Sequence, residues 1–242
     1  MEQKITLSQA ISKRKSVREY DMTPLNNDEL NQILDYTKGI EPLYDGMKTE
    51  LRLIGPNDIR ALRSWRSPHY LAIYADGSDE AMVNVGYIYE QLTVYLTSLG
   101  LGTCWANSVI PKDNEKPDGM KWAATICFGR AKNGQPWRED LTEAKRNALN
   151  TISDQSDKKL EAVRIAPSTM NSQPWYFVHI GDKLRVYCVV QSLMKKWMSG
   201  MNRIDIGIAL AHLKINNFSF AFEVEKEQTE LKGYSYIGTV TL

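Results

Sequence analysis

The sequence predicts a mixed α+β sandwich that is made of two similar halves. Stretches with the 3.6-residue period of amphipathic helices alternate with short apolar runs typical of strands. After about residue 147 the order helix, loop, strand, strand, helix, strand begins again, and the two long helices match each other half a chain length apart. The matched pairs are Asn84 with Asp205, Gly86 with Gly207, Leu92 with Leu213, and Ser98 with Ser219. We therefore interpret residues 1–146 and 147–242 as the halves of a duplicated unit, packed closely together.

Two capping boxes mark helices of the first half. Thr6 with Gln9 begins a helix that is predicted to reach about residue 15, and Asn26 with Glu29 begins a second helix after Pro24. Apolar periodicity predicts the remaining elements of this half. They are strands at 51–54, 70–75 and 125–129, a long helix at 81–99, and polar loops or linkers at 113–121 and 132–146.

The second half is predicted to begin with a helix and to contain a hairpin. Gly181-Asp182 separates two apolar runs and is expected to turn one strand back on the next. The predicted elements are helices at 157–164 and 205–217 and strands at 176–180, 184–190, 220–224 and 234–240.

Composition excludes several classes of function. Of the 242 residues, 43% are hydrophobic and 24% are charged, which is typical of a globular protein. The formal net charge of +1 favours neither nucleic acid nor an anionic membrane surface as a partner. No apolar run approaches the roughly 20 residues that cross a bilayer, and the charged N-terminal stretch does not resemble a secretory signal.

The cysteines and histidines do not predict a metal site. Cys104, Cys127 and Cys188 are odd in number, widely spaced and set in apolar stretches. We therefore expect buried free thiols in a reducing compartment, the cytoplasm, rather than a disulfide framework. The three histidines show no ligand spacing, so no metal is expected.

Residues 14–18, Arg-Lys-Ser-Val-Arg, gather cations and a hydroxyl where the first helix ends. Guanidinium groups and a serine O–H donate charge-assisted hydrogen bonds, which suit a phosphate. Alternatively, these residues form a solvated basic helix end, which the helix dipole favours.

Residues 166–174, Ala-Pro-Ser-Thr-Met-Asn-Ser-Gln-Pro, form an irregular segment that we call the Pro-Ser loop, and Trp175 follows it into a strand. Free backbone groups and an asparagine amide suit the alternating donors and acceptors of a flat polar heterocycle. Alternatively, the loop is a plain structural turn, because proline and serine favour turns.

Together these two segments resemble the FMN-binding signatures of the nitroreductase family, RRSxR and APSxxNxQPW. Residues 100–105, Gly-Leu-Gly-Thr-Cys-Trp, also match the family in their place after the long helix. The resemblance covers nearly the whole chain in the order of elements. It is closest to the subgroup of nitroreductases in which one chain forms a pseudo-dimer, and it implies the mixed α/β sandwich of that family.

The distance between the two signatures differs from the ordinary family pattern. Ordinary members carry both near the start of one chain and form homodimers, with each FMN at the interface between subunits. Here residues 40–43, Ile-Glu-Pro-Leu, stand where a Pro-Ser loop would follow the arginine signature, and the second half has the loop without an arginine signature. The resemblance therefore implies a fused pseudo-dimer with one composite site and one FMN per chain.

The resemblance also assigns cofactor-binding positions. Arg14 and Ser16 correspond to positions that hold the FMN phosphate and ribityl chain, and Arg18 to a position at the N1/O2 edge of the ring, where a cation favours the reduced flavin. Asn107 and Ser108 fall beside N5, where many relatives have Gly-Gly or Glu-Gly, so either a backbone N–H or a side chain serves N5 here. The full predicted cofactor-binding set is Arg14, Lys15, Ser16, Arg18, Arg63, Asn107, Ser108, Arg138, Pro167, Ser168, Thr169, Asn171 and Gln173.

Within that set, Arg138 corresponds to a further phosphate-binding cation and Arg63 to a ligand of the pyrimidine edge. Residues 167–171 are expected to cover the ribityl chain and ring from the second half, while Gln173 fixes the loop. The Met-rich residues 194–201 form either a mobile lid over the flavin or an ordinary packing surface.

By the same resemblance, the protein is expected to be an FMN-dependent oxidoreductase. NAD(P)H as co-substrate passes hydride to flavin N5, leaves, and is replaced by a small oxidant such as a nitroaromatic or a quinone, in a ping-pong cycle without a catalytic acid–base residue. The alternatives are a flavin-binding protein without efficient turnover, either a carrier or a regulatory module, and a related flavin reaction such as dehalogenation. The expected partner is a small-molecule substrate, and the expected assembly is a monomeric pseudo-dimer or a weak homo-oligomer.

Overall fold

Two long helices lie side by side at the centre of the molecule, and a four-stranded sheet contacts each of them. The computed structural model describes residues 1–61, 66–112, 117–191, 198–227 and 229–242. The helices are α1 (Leu7–Lys13), α2 (Asn27–Thr37), α3 (Asp79–Ser98), α4 (Leu149–Ile152), α5 (Glu161–Arg164) and α6 (Ser199–Asn216). The central pair, α3 and α6, is buried along most of its length, because apolar residues occur on nearly every face of both helices.

The two large sheets have the same topology. The strands are β1 (Thr49–Ile54), β2 (Ile59–Ala61), β3 (His69–Ala75), β4 (Gly102–Trp105), β5 (Val109–Pro111), β6 (Lys121–Gly129), β7 (Trp175–Ile180), β8 (Lys183–Val189), β9 (Ala221–Glu223) and β10 (Tyr234–Thr241). One antiparallel sheet has the order β1-β3-β6-β4 and the other the order β7-β8-β10-β9, while β2 pairs with β5. In each large sheet the central helix follows the second strand, and the next strand takes the edge position.

The register of both sheets brings apolar residues of neighbouring strands together. In the first sheet Leu71 pairs with Leu53 on one side and with Ile126 on the other. In the second sheet Val186 pairs with Phe177 and with Gly238. These inner strands are buried and contribute to the same hydrophobic core as α3 and α6, so the halves are not separated by solvent.

Glycines allow the central helices to touch through their backbones. A Cβ atom on Gly86 would lie 1.9 Å from the carbonyl oxygen of Ile204, and one on Gly207 would lie 2.0 Å from the carbonyl oxygen of Val83. The helix match that pairs Asn84 with Asp205 also pairs Gly86 with Gly207 and Val83 with Ile204, so the two contacts are equivalent. Such reciprocal contacts are the pattern of an isologous interface. They support the predicted duplication.

The structure confirms the mixed helix-and-sheet fold and most of the predicted elements. Both capping boxes are present, with Thr6 Oγ1 accepting from the N–H of Gln9 (3.2 Å) and Asn26 Oδ1 from that of Glu29 (2.9 Å). Gly181 has a φ of 61° and turns β7 into β8, as predicted.

Several boundaries were predicted wrongly. The first helix ends at Lys13 because Arg14 adopts extended backbone angles, α6 begins at Ser199 rather than at 205, and β6 begins at Lys121. The helix predicted at 157–164 is a 3-10 turn (Lys158–Leu160) followed by α5, and the short elements β2, β4, β5 and α4 were missed. Such short elements depend on tertiary pairing more than on local preference.

Part of the predicted linker at 132–146 is packed against the first helix. Arg14 forms an antiparallel bridge with Trp137, and the N–H of Arg138 donates to the carbonyl of Lys13 (2.8 Å). Within the described ranges, no helix has the length and apolarity needed to cross a bilayer.

Candidate functional site

A cleft of about 640 Å³ lies between elements of the two halves. Its volume is within the usual range of small-molecule and cofactor sites. Seven of the residues predicted to bind a cofactor line it: Ser16, Arg18, Asn107, Ser108, Pro167, Ser168 and Thr169. The tertiary fold thus brings together segments that are about two-thirds of the chain apart. Trp105, Ile204 and Ile208 add apolar surface to the wall.

Residues 14–18 reach the cleft as extended chain beside β4. Ser16 bridges Thr103 in parallel, and the N–H of Val17 donates to the carbonyl of Thr103 (2.9 Å). Because side chains alternate along extended backbone, Arg14, Ser16 and Arg18 share one side. A Cβ atom on Gly102 would lie 2.7 Å from Cβ of Val17, so glycine at this position lets the two segments approach.

The turn after β4 presents Asn107 and Ser108 to the cleft. The N–H of Val109 donates to the carbonyl of Ala106 (3.0 Å) and closes this turn. The buried Oγ of Ser108 has no hydrogen-bond partner in the described part of the chain. A buried hydroxyl without a partner is costly, which suits a position that meets a ligand.

The Pro-Ser loop is held in shape by its own side chains. Ser168 Oγ accepts from the N–H of Gln173 (2.9 Å), and Gln173 Oε1 accepts from the N–H of Asn147 (2.9 Å). Met170, Asn171 and Gln173 have positive φ angles of 54°, 58° and 47°. Three non-glycine residues in this region make the loop strained, so its shape depends on the bonds made by Ser168 and Gln173.

Five predicted site residues are not among those that line the cleft: Arg14 and Arg138, which are described below, and Lys15, Asn171 and Gln173. Asn171 donates to the carbonyl of Lys145 (3.0 Å) and accepts from Arg146. Gln173 is buried and braces the loop, while Lys15 alternates to the other side of the extended segment from Ser16. Arg63 lies outside the described residues, as does 194–197 of the Met-rich segment. The cofactor roles of these residues remain predictions.

Arg14 and Arg138 are buried neighbours with unused hydrogen-bond donors. Their side chains are only 2% and 4% exposed. Nη1 of Arg14 and both Nε and Nη1 of Arg138 have no partner among the described residues. Buried guanidinium donors without an acceptor are unfavourable, so these unused donors point to an anionic ligand.

Two further arginines, Arg146 and Arg164, add to the same positive field. Burial, with the charges of Arg14 and Arg146, lowers the pKa of Arg138 to about 10. Burial, with Arg14 and Arg164, lowers the pKa of Arg146 to about 10 as well. Arg146 Nε also donates to the carbonyl of Ala166, the first residue of the Pro-Ser loop (3.0 Å). These four arginines, Arg14, Arg138, Arg146 and Arg164, therefore lie next to the cleft. Sequence reasoning missed Arg146 and Arg164 because they belong to no recognisable motif.

Glu90 of α3 neutralises part of this positive charge. Its Oε1 lies 3.6 Å from Nε of Arg14 and 3.0 Å from Nε2 of His212, while Oε2 accepts from Nε1 of Trp105 (2.7 Å) and from Oγ1 of Thr93 (2.6 Å). Burial alone would raise the pKa of Glu90, but Arg14 and His212 outweigh it and hold the pKa below its usual range. The sequence signal for the pair of Glu90 with Arg14 was an acidic residue inside an apolar helix, because buried carboxylates need partners.

Asp205 is a second missed carboxylate, and it lines the cleft directly. It is 1% exposed and accepts hydrogen bonds from Thr169 and Ser172 of the Pro-Ser loop. Over the described residues, no group of His, Cys, Asp and Glu forms a metal site.

Comparison with known proteins agrees with the resemblance seen in the sequence. The family model described as "Putative TM nitroreductase" matches residues 6–217. A crystal structure of a "putative nitroreductase" from Thermotoga maritima MSB8 is 18% identical, with a TM-score of 0.65, and the match covers 99% of this chain and 94% of that one. It shows a common fold. No curated protein matches the sequence.

Shorter nitroreductases match part of the chain. One with bound FMN from Desulfitobacterium hafniense DCB-2 is 12% identical, with a TM-score of 0.45, covering 60% of this chain and 99% of its own. An FMN-dependent nitroreductase from Clostridium difficile R20291 is 17% identical, with a TM-score of 0.43, covering 54% and 91%. Since the family model spans most of the chain, from residue 6 to residue 217, this protein belongs to the nitroreductase family.

Proposed function

We propose that the cleft binds one FMN and that the protein is an FMN-dependent NAD(P)H oxidoreductase acting on a small oxidant such as a nitroaromatic or a quinone. The observation that carries this proposal is the meeting of Ser16 and Arg18 with Pro167, Ser168 and Thr169 around one cleft, next to buried arginines with unused donors. An FMN phosphate carries nearly two negative charges and would satisfy those donors.

The residues present suit each part of the cofactor. Arg14, Arg138 and Arg146 would hold the phosphate, Ser16 and Ser168 the ribityl chain, and Arg18 the pyrimidine edge of the ring. Bound FMN supplies hydride acceptance and donation at ring atom N5. The protein's part is to bind and orient the cofactor and, through its apolar wall, to exclude water from the reacting face.

Activity is tested with the purified protein after saturation with FMN. We expect NADH or NADPH to be oxidised in the presence of a nitroaromatic or quinone acceptor, with the parallel double-reciprocal lines of a ping-pong mechanism. FMN retention without oxidation of either nucleotide would instead identify a flavin-binding protein without turnover.

Replacing Arg138 with methionine is predicted to change stability and cofactor affinity in opposite directions. Methionine keeps much of the packed stem and removes a buried cation whose donors are unused, so the FMN-free protein should gain about 1–3 kcal/mol in free energy of unfolding. FMN affinity should fall by about 1.5–3 kcal/mol, or roughly 10- to 150-fold, because a hydrogen bond to a charged group is lost. Urea unfolding and FMN titration measure the two effects.

The control for Arg138 is Arg130→Met. Arg130 pairs with Glu29 on the surface (3.0 Å, side chain 45% exposed), so both quantities should change little. A less stable Arg138→Met protein with unchanged FMN affinity would contradict the phosphate role.

We also propose that only one of two symmetry-related sites survives in the duplicated chain. The loop that corresponds to the Pro-Ser loop is held by Asn84, whose Oδ1 accepts from the N–H of Tyr44 (3.1 Å). Aromatic rings pack together at this loop and at the neighbouring Tyr87: the ring centroids of Tyr44 and Phe222 are 5.2 Å apart, and those of Tyr87 and Phe220 are 6.2 Å apart. Tyr44 also donates its hydroxyl to the carbonyl of Ile237 (2.6 Å).

We therefore predict one FMN per chain. Flavin absorbance relative to protein concentration, measured after saturation and desalting, should give a ratio near one. A ratio near two would show that the aromatic packing does not close the second site.

A further inference from the structure

Asp205 links the Pro-Ser loop to the central helix α6. Its two carboxylate oxygens each lie 3.0 Å from the backbone nitrogen of Thr169, and they also accept from Thr169 Oγ1 (3.3 Å) and Ser172 Oγ (3.5 Å). The carboxylate is buried and lies in the wall of the cleft. The strained loop is therefore attached to α6 through this side chain, in addition to its bonds with residues 145–147.

Asn84, the residue matched with Asp205 in the other half, makes a comparable attachment with a neutral group. Its Oδ1 accepts from the N–H groups of Leu43 (3.0 Å) and Tyr44 (3.1 Å), and its Nδ2 donates to the carbonyl of Tyr44 (2.8 Å). Tyr44 follows Pro42 by two residues, as Thr169 follows Pro167. An amide thus holds the loop beside the aromatic rings, and a carboxyl group holds the loop beside the open cleft.

We propose that Asp205 is a positioning residue that makes the Pro-Ser loop able to open: the neutral side chain holds the loop closed over the cleft, and ionisation favours its release. This inference rests on the proposed function in assigning FMN to the cleft. The amide of Asn84 does not titrate, so its hold on the corresponding loop does not depend on pH.

The direction in which loop closure depends on pH follows from the burial of the Asp205 carboxyl group. Burial raises the pKa of Asp205 to about 7, although the hydrogen bonds from Thr169 and Ser172 act in the opposite direction. In the open loop water reaches the carboxyl group, and its pKa returns toward the ordinary range near 4. The closed loop therefore binds a proton more readily than the open loop. Closure is favoured at low pH, weakens as the pH rises from about 4 to about 7, and is constant above that.

The charged groups around Asp205 do not provide an alternative source of this pH dependence. They are Arg18 in the same cleft, Cys188 on β8, and Arg203 of α6, which forms an ion pair with Asp79 of α3 (2.9 Å). Burial raises the pKa of Cys188 to about 12. The Cys188 thiol therefore does not titrate between pH 5.5 and pH 7.5.

Hydrogen exchange of the FMN-free protein tests the inference without the cofactor. After correction for the intrinsic exchange rate, the opening constant of backbone amides in the Pro-Ser loop should rise roughly tenfold or more between pH 5.5 and pH 7.5. In Asp205→Asn, which copies the neutral group of Asn84, the opening constant should be low and independent of pH. The rate of FMN dissociation should follow the same pattern in both proteins.

His179 supplies a matched control. It lies between Asp154 (2.7 Å) and Asp157 (3.2 Å), and although partial burial lowers its pKa, these carboxylates raise it overall. His179→Gln should therefore leave the pH dependence of the loop unchanged. The inference is wrong if Asp205→Asn keeps the wild-type pH profile, or if its loop opens faster at pH 7.5. Absence of FMN binding at every pH would refute the proposed function, while the exchange data would still decide the role of Asp205.

Discussion

Replacing Gly86 with alanine is expected to destabilise the protein by about 3 kcal/mol or more, although alanine is the better helix former. The new Cβ atom would lie 1.9 Å from the carbonyl oxygen of Ile204 and 2.8 Å from the backbone nitrogen of Ile208. These are backbone atoms of a buried helix, so no side-chain rotation relieves the overlap. The two central helices would have to separate, and the core on both sides would lose contacts.

Urea unfolding measures this effect, and a second glycine of the central pair provides the control. An alanine Cβ at Gly200 would lie 3.4 Å from the flexible end of Met82, so Gly200→Ala should be neutral or stabilising by up to about 1 kcal/mol. Gly207→Ala should reproduce the loss at Gly86, because its Cβ would lie 2.0 Å from the carbonyl of Val83. Equal stability of the Gly86 and Gly200 variants would contradict the close crossing.

The second large effect is expected at Glu90. Replacing it with glutamine keeps the shape of the side chain but leaves Arg14 without a counter-charge in a buried position and removes the carboxylate beside His212. Both ring nitrogens of His212 lie within hydrogen-bond distance of acceptors, the carbonyl of Ala162 (2.8 Å) and Glu90 (3.0 Å), so glutamine would also disturb this contact. Breaking such a buried pair costs about 3–5 kcal/mol.

The pH dependence of stability gives this prediction a second readout. Because the pKa of Glu90 is lowered in the folded protein, its contribution is complete above the ordinary glutamate pKa of about 4.5 and is lost as the pH falls through the folded value. The difference between wild type and Glu90→Gln should therefore be largest at neutral pH and shrink in acid. Glu223→Gln serves as the control, since its pair with Lys183 is exposed and screened by solvent, so its loss should change stability little. A similar loss in both variants would contradict the buried network.

The two signatures show how far sequence reasoning reaches in this protein. Ser16 and Arg18 line the same cleft as Pro167, Ser168 and Thr169, and the family pattern, which contains both segments, predicted a common role for them that stays a prediction. Asn171 belongs to the same signature, yet its side chain contacts Lys145 and Arg146. Its direction depends on three positive φ angles in the loop, which no short-range pattern specifies.

The sequence by itself determined the capped helix starts, the hairpin at Gly181, the helix match of Asn84 with Asp205 and the family signatures, because each depends on residues close together in the chain or on a repeated pattern. Only the tertiary structure decided which charges meet. Arg14, Glu90 and His212 come from three distant segments, and their pairing has no signature in any one of them. A buried charge is stabilised by whatever group the fold brings within a few ångströms, since Coulomb energy depends on distance in space and on the surrounding dielectric, not on separation along the chain.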